Sequence, residues 1–111
     1  MFDQRSGDDG FGGWDNLPGY PTLRPVDRAV TVDGHQAFPS VGLRRLTGVS
    51  MATRAYGLRV DPMMDGQLRV WLAVFDGTWL GGVDVVMHSG NRRSELPMRL
   101  WLPPSALTPK S

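Results

Sequence analysis

The chain has 111 residues, 12 Lys plus Arg against 11 Asp plus Glu, and no cysteine. That length suits one domain able to bury its own core, the missing thiols exclude disulfides and thiolate metal sites, and no apolar run is long enough to cross a bilayer as a helix. A net charge of +1 is modest for a nucleic-acid binder.

The small total hides a division. Asp3, Asp8, Asp9 and Asp15 stand against Arg5 alone in the first twenty residues, and Lys110 is the single lysine in an otherwise arginine-based set of cations. Guanidinium makes planar, forked contacts and stacks on aromatics in ways that ammonium does not, although a GC-rich genome accounts for much of such usage. Gly 14 and Pro 9 together exceed the ordinary share of about 12%. Punctuation this dense favours short strands and turns over long helices.

In chain order, residues 1–25 are expected to form a flexible acidic and aromatic arm, and residues 26–111 a single β-rich domain. The opening "MFDQRSGDDG" has neither the basic start nor the apolar middle of a secretory signal, and the chain reads as cytoplasmic. The arm continues as "FGGWDNLPGYP" without helical or strand periodicity. Disordered tails are usually poor in aromatic residues, so Phe11, Trp14, Asp15 and Tyr20 are the arm residues expected to make contacts.

"RAVTVD" (Arg28 to Asp33) alternates and is β-branched, the pattern of a first strand, and "DGHQ" then turns. The segment 39–53, "PSVGLRRLTGVSMAT", is the best helix candidate, with Ser40 as its cap and glycines that limit it to a turn or two. "RAYGLRV" is strand-like, "DPMMDG" a turn, and "QLRVWLAVF" (Gln67 to Phe75) the strongest strand. Asp76-Gly77 supplies the positive φ that compact hairpin turns need. "TWLGGVDVVM" returns, its paired glycines suggesting a bulge. After the polar loop "HSGNRRSE", Leu96 to Leu102 forms the last strand, stopped by Pro103 and Pro104. The expected fold is mainly β, with one short helix and a small, strongly curled antiparallel sheet or small barrel.

Two of these strands share a phrase: "LRVWL" at Leu68 to Leu72 and "MRLWL" at Met98 to Leu102. Strict alternation places Leu68, Val70, Leu72 and Val74 on one face and Arg69 with Trp71 on the other. The same rule separates Met98, Leu100 and Leu102 from Arg99 and Trp101. The aliphatic rows are the expected core. Arg69, Trp71, Arg99 and Trp101, with Arg92 and Arg93 in the nearby loop, are the expected binding surface, because Arg and Trp together concentrate binding energy. A two-layer fold would instead bury both indoles and let each Arg snorkel to water.

Catalytic and metal signatures are weak. His35 and His88 are the only histidines and lack ligand spacing. Asp84, His88 and Ser89 are tempting, but neighbours on one regular strand do not reach triad geometry. "GFGGWD" follows no strand and opens no helix, so the phosphate-loop fingerprints fail. The sequence therefore points to a non-enzymatic protein-interaction module without cofactor or metal, a small regulator or stoichiometric inhibitor of the type carried by phages and mobile elements. Its expected partner is another protein, with a homodimer as a further option and no membrane association. The alternative is a small barrel binding single-stranded nucleic acid, in which indoles stack bases and arginines meet phosphates. A small hydrolase stands third.

Overall fold

A computed structural model describes residues 11–41 and 47–110. Among these residues the fold is mainly β, with two short helices and one six-stranded antiparallel sheet that curls without closing. Strands β1 (Leu23–Asp33), β2 (Leu58–Arg59), β3 (Met63–Ala73), β4 (Trp79–Ser89), β5 (Glu95–Leu102) and β6 (Leu107–Pro109) carry it. Four of them run β4-β3-β1-β6; β5 lies on the other side of β4, and β2 adds to the end of β4.

Local chemistry sets the boundaries. Asp33 ends β1 and caps helix α1 (Gly34–Ala37), its carboxylate accepting from the His35 N–H at 2.9 Å. Ser50 caps α2 (Met51–Tyr56) by accepting from the Thr53 N–H at 3.1 Å, a Ser side chain satisfying an orphan donor. The β3–β4 turn places Gly77 at φ 93°; its N–H donates to Val74 O, and Thr78 donates through both its N–H and Oγ1 to Asp76 Oδ1. Those two bonds hold the Asp76 carboxyl below its ordinary pKa.

Several expectations are corrected here. Among the described residues, the helix expected over 39–53 is met only at its end: Pro39 and Ser40 form a turn, Ser40 taking φ 66°, and α2 starts after Ser50. The central part of that candidate, residues 42–46, lies outside the described residues. "RAYGLRV" is helical to Tyr56 and extended only over Leu58–Arg59, because α2 packs its C-terminal carbonyls against the β4–β5 turn: Asn91 N–H donates to Ala55 O, and Gly90 N–H to Gly57 O. Met63 and Met64 are strand rather than turn, and β1 starts at Leu23. Both extensions arise from the β1–β3 ladder, which pairs Leu23 with Leu72 at one end and Asp33 with Met63 at the other. Tertiary pairing here overrides what turn residues suggest locally.

The core sits inside the curl. Val30, Val32, Leu68, Val83, Val85, Met87 and Leu102 are buried together, with Val60 and Ala106. After β5, the Pro104–Ala106 3₁₀ turn carries the chain to β6 on the far edge of the sheet, against β1. Leu107 thereby comes to lie over Gly81, where a side chain would meet its Cδ1 at 2.8 Å. Gly66 is required for a related reason, since a Cβ there would approach Val83 at 2.7 Å.

Candidate recognition surface

Residues directly opposite across a ladder share a face, so the register assigns the doubled motif. In β4–β3, Gln67 pairs with Asp84 and Leu68 with Val83, but the next partners are Val70 with Gly82 and Trp71 with Gly81. Arg69 is the extra residue of a β-bulge. A bulge breaks the two-residue repeat and re-aims the side chains beyond it. Leu68 and Trp71 therefore share the core face with Gly81 and Val83, while Val70 and Leu72 share the opposite face with Gly82 and Leu80. Strict alternation had joined Leu68 to Val70 and Leu72, and Trp71 to Arg69; that assignment is corrected. No glycine or proline within "LRVWL" marks the slip, and the nearest signal is the Gly81-Gly82 pair on the strand opposite.

The second half of the motif behaves as its alternation suggests. Trp101 pairs with Gly82 and Arg99 with Asp84, whereas Met98, Leu100 and Leu102 pair with Val85, Val83 and Gly81 on the core side. One Trp of the doubled phrase is thus on the core face, packed against the core cluster, and the other lies 41% exposed on the outer face.

The outer face divides into two regions. In the apolar region Val70 is fully buried and Leu23 nearly so; Gly82 leaves the room that Val70 and the Trp101 ring fill. The arm covers part of it. Phe11 meets Trp101 edge to face at 6.2 Å, and the Arg99 guanidinium lies 5.0 Å from the centre of the Phe11 ring. Asn16 ties the arm to the head of β1: its Oδ1 accepts from the N–H groups of Thr22 and Leu23, both at 3.0 Å, and its Nδ2 donates to Leu23 O. Trp14 Nε1 donates to Thr22 Oγ1 at 2.9 Å. Asp15 and Tyr20 are exposed.

The polar region surrounds a depression of about 610 Å³ that opens where β3 and β4 part. Pairing between them ends at Gln67–Asp84, and β2 takes up β4 only at His88. Carboxylates hold four of the cations on this face. Arg99 grips Asp84 with two bonds, 2.6 and 3.0 Å. Arg59 bonds Asp61 at 2.7 Å, Arg69 lies 3.5 Å from Asp27, and Lys110 pairs with Asp65. His88 stands 3.6 Å from Glu95. The Arg99 bonds, reinforced by the charge of Arg69, hold the Asp84 carboxyl below its ordinary range against the opposing effect of burial.

Of the expected site residues, Arg69, Arg99 and Trp101 lie on this face and Trp71 does not. Arg92, at φ 61°, lines the depression, while Arg93 is exposed in the β4–β5 turn. The Asp84, His88, Ser89 trio is not assembled: Asp84 is taken by Arg99, and Ser89 is buried on the other face with its Oγ 2.6 Å from Asn91 Oδ1. Among the described residues, no three His, Asp or Glu side chains gather as a metal site. The sequence reading missed Asp27, Asp84 and Asp65 as partners of the arginines and the lysine, since their approach depends on register. No family model, curated protein or solved structure matches the chain.

Proposed function

We propose that the protein is a non-enzymatic protein-interaction module that binds a partner protein through the outer face of its sheet. The observation that supports this is the mixture on that face. Exposed apolar groups, Trp101 and Val86, sit among ion pairs that are already formed: Arg59–Asp61, Arg69–Asp27, Arg99–Asp84 and Lys110–Asp65. Protein interfaces combine an apolar, often Trp- and Arg-containing centre with a polar rim. A single-strand binder draws its affinity from cationic side chains that neutralise phosphates and release their counterions, and each of these four cations already holds a carboxylate. A small regulator or inhibitor is the role that fits such a module.

The test places a photo-crosslinking amino acid at Val86 on this face and, as control, at Phe75 on the hairpin tip. In extract of the source cells, the Val86 probe is expected to trap one discrete protein, and Arg69→Ala with Arg99→Ala is expected to abolish the product in a folded variant. Equal labelling from both positions, or a trapped species consisting of nucleic acid, overturns the reading.

A further inference from the structure

The core face carries a feature that the outer-face reading leaves unused. At the hairpin end of the sheet, Trp71, Trp79, Pro104 and Arg24 enclose an open niche of about 340 Å³. Arg24 pairs with Trp71 across β1–β3, and its guanidinium lies 5.1 Å from the centre of the Trp79 ring. Stacking fixes the head of Arg24 beside the niche. Unlike Arg59, Arg69 and Arg99, it has no carboxylate partner among the described residues.

The same chain exposes a segment of complementary chemistry. Leu17 and Tyr20 bridge a tight turn around Gly19, whose φ is 86°, and they are 64% and 75% exposed. Asp15 is exposed too and has no cation partner among the described residues. No residue of this segment lines the niche of its own chain. Phe11 anchors it to Trp101 on the outer face, and Asn16 clamps it to Thr22 and Leu23. The niche opens on the opposite face.

We propose that two copies of the chain form a reciprocal dimer in which the Leu17–Tyr20 turn of each seats in the Trp71–Trp79 niche of the other, with Asp15 of one copy against Arg24 of the other. Reciprocity makes the contact self-complementary, so the assembly closes at two copies instead of growing into a filament. The apolar turn covers indole surface that a monomer leaves wet, and the charge pair fixes orientation. This inference is independent of the outer-face reading, because Arg24, Trp71 and Trp79 take no part in that surface.

Charge exchange tests it. Sedimentation equilibrium of the full chain, followed up to about 1 mM, is expected to show a monomer–dimer equilibrium. Asp15→Arg and Arg24→Glu each place like charges together at both contacts and weaken association by about tenfold or more. Mixing the two variants restores it, since each then meets the opposite sign in its neighbour. Tyr20→Ser, which changes no charge, weakens it as well. Circular dichroism checks that every variant keeps the wild-type fold. A wild-type chain that stays monomeric, a dimer indifferent to the charge reversals, or a mixture no tighter than its components overturns the proposal.

Discussion

Along β4, Val83, Val85 and Met87 point into a packed aliphatic interior, while Gly82, Asp84, Val86 and His88 point to a face of quite different construction. The first face is continuous. Neighbouring strands supply Val30, Val32, Leu68 and Leu102, and the crossing from β5 to β6 seals it. The second is a mosaic of a small apolar patch under the arm, a row of ion pairs and a depression where two strands separate. Burial of apolar area drives the fold from the first face. On the second, polar groups satisfy one another and leave side chains accessible. The difference places the main core on one side of the sheet and leaves the other with a smaller apolar patch beside accessible polar side chains.

Aspartate at two positions of β4 tests that division most strongly. Val83 is fully buried and Val86 is 51% exposed. Val83→Asp strands an unpaired charge among aliphatic side chains, which is expected to cost more than about 3 kcal/mol and abolish cooperative unfolding. Val86→Asp is expected to remain within about 0.5 kcal/mol of wild type. Urea denaturation measures both, and similar losses at the two sites would erase the distinction between the faces.

The adjacent glycines sharpen the comparison. A methyl group at Gly81 meets the flexible ends of Leu107 and Leu68, at 2.8 and 2.9 Å. At Gly82 it meets the stiff, fully buried Val70 at 2.6 Å and the Trp101 ring at 2.9 Å. Overpacking costs about 1–3 kcal/mol, and Gly82→Ala is expected to be the worse of the two. Thermal unfolding ranks them. A larger loss from Gly81→Ala would mean that the apolar patch of the outer face yields more easily than the core.

How much of this was legible in sequence depends on which forces set it. The fold class, the hairpin at Asp76-Gly77 and the core positions Leu68 and Leu102 follow from alternation and turn chemistry, both local. The face of Val70 was not legible. One extra residue at Arg69 reverses every later assignment in β3, and a bulge is specified by the partner strand. For the same reason Trp71 and Trp101, similar in sequence context, lie on opposite faces. The arginine partners were hidden too, because Asp84 lies fifteen residues before Arg99 and Asp27 forty-two before Arg69. α2 was misplaced because its boundary rests on Ser50 and on contacts with the β4–β5 turn, whereas the glycines of the preceding segment look alike in either register.

A smaller effect is expected from the arm. Phe11→Ala removes one edge-to-face contact and one cation–π contact, which together contribute about 1 kcal/mol. The expected signature is a red shift in indole fluorescence as Trp101 gains water, with cooperative unfolding retained. Should the shift persist in Trp101→Phe, it would come from another indole, and the arm would not be what shields the outer patch.

The smallest effect concerns the polar region and appears only in acid. Arg99 donates two bonds to Asp84 across β4–β5 and lowers its pKa. A carboxyl with a lowered native pKa binds its proton less readily in the folded than in the unfolded chain. Its pair therefore stabilises the fold above the unfolded carboxyl value of about 3.9, and that contribution fades as pH falls through the native pKa. The Asp84 side chain is 43% exposed, so solvent screening keeps the contribution below about 1 kcal/mol. Asp84→Asn is expected to be slightly less stable than wild type at neutral pH and to converge with it in acid, as the wild-type pair is lost. Val83→Ala, a core substitution that changes no charge, is expected to lower stability by a constant amount across the same range. Urea midpoints measured from pH 7 downward separate the two behaviours. If the Asp84→Asn deficit stayed constant with pH, the Arg99–Asp84 contact would be contributing packing and not charge, and the outer face would resemble the core in the one respect that sets them apart.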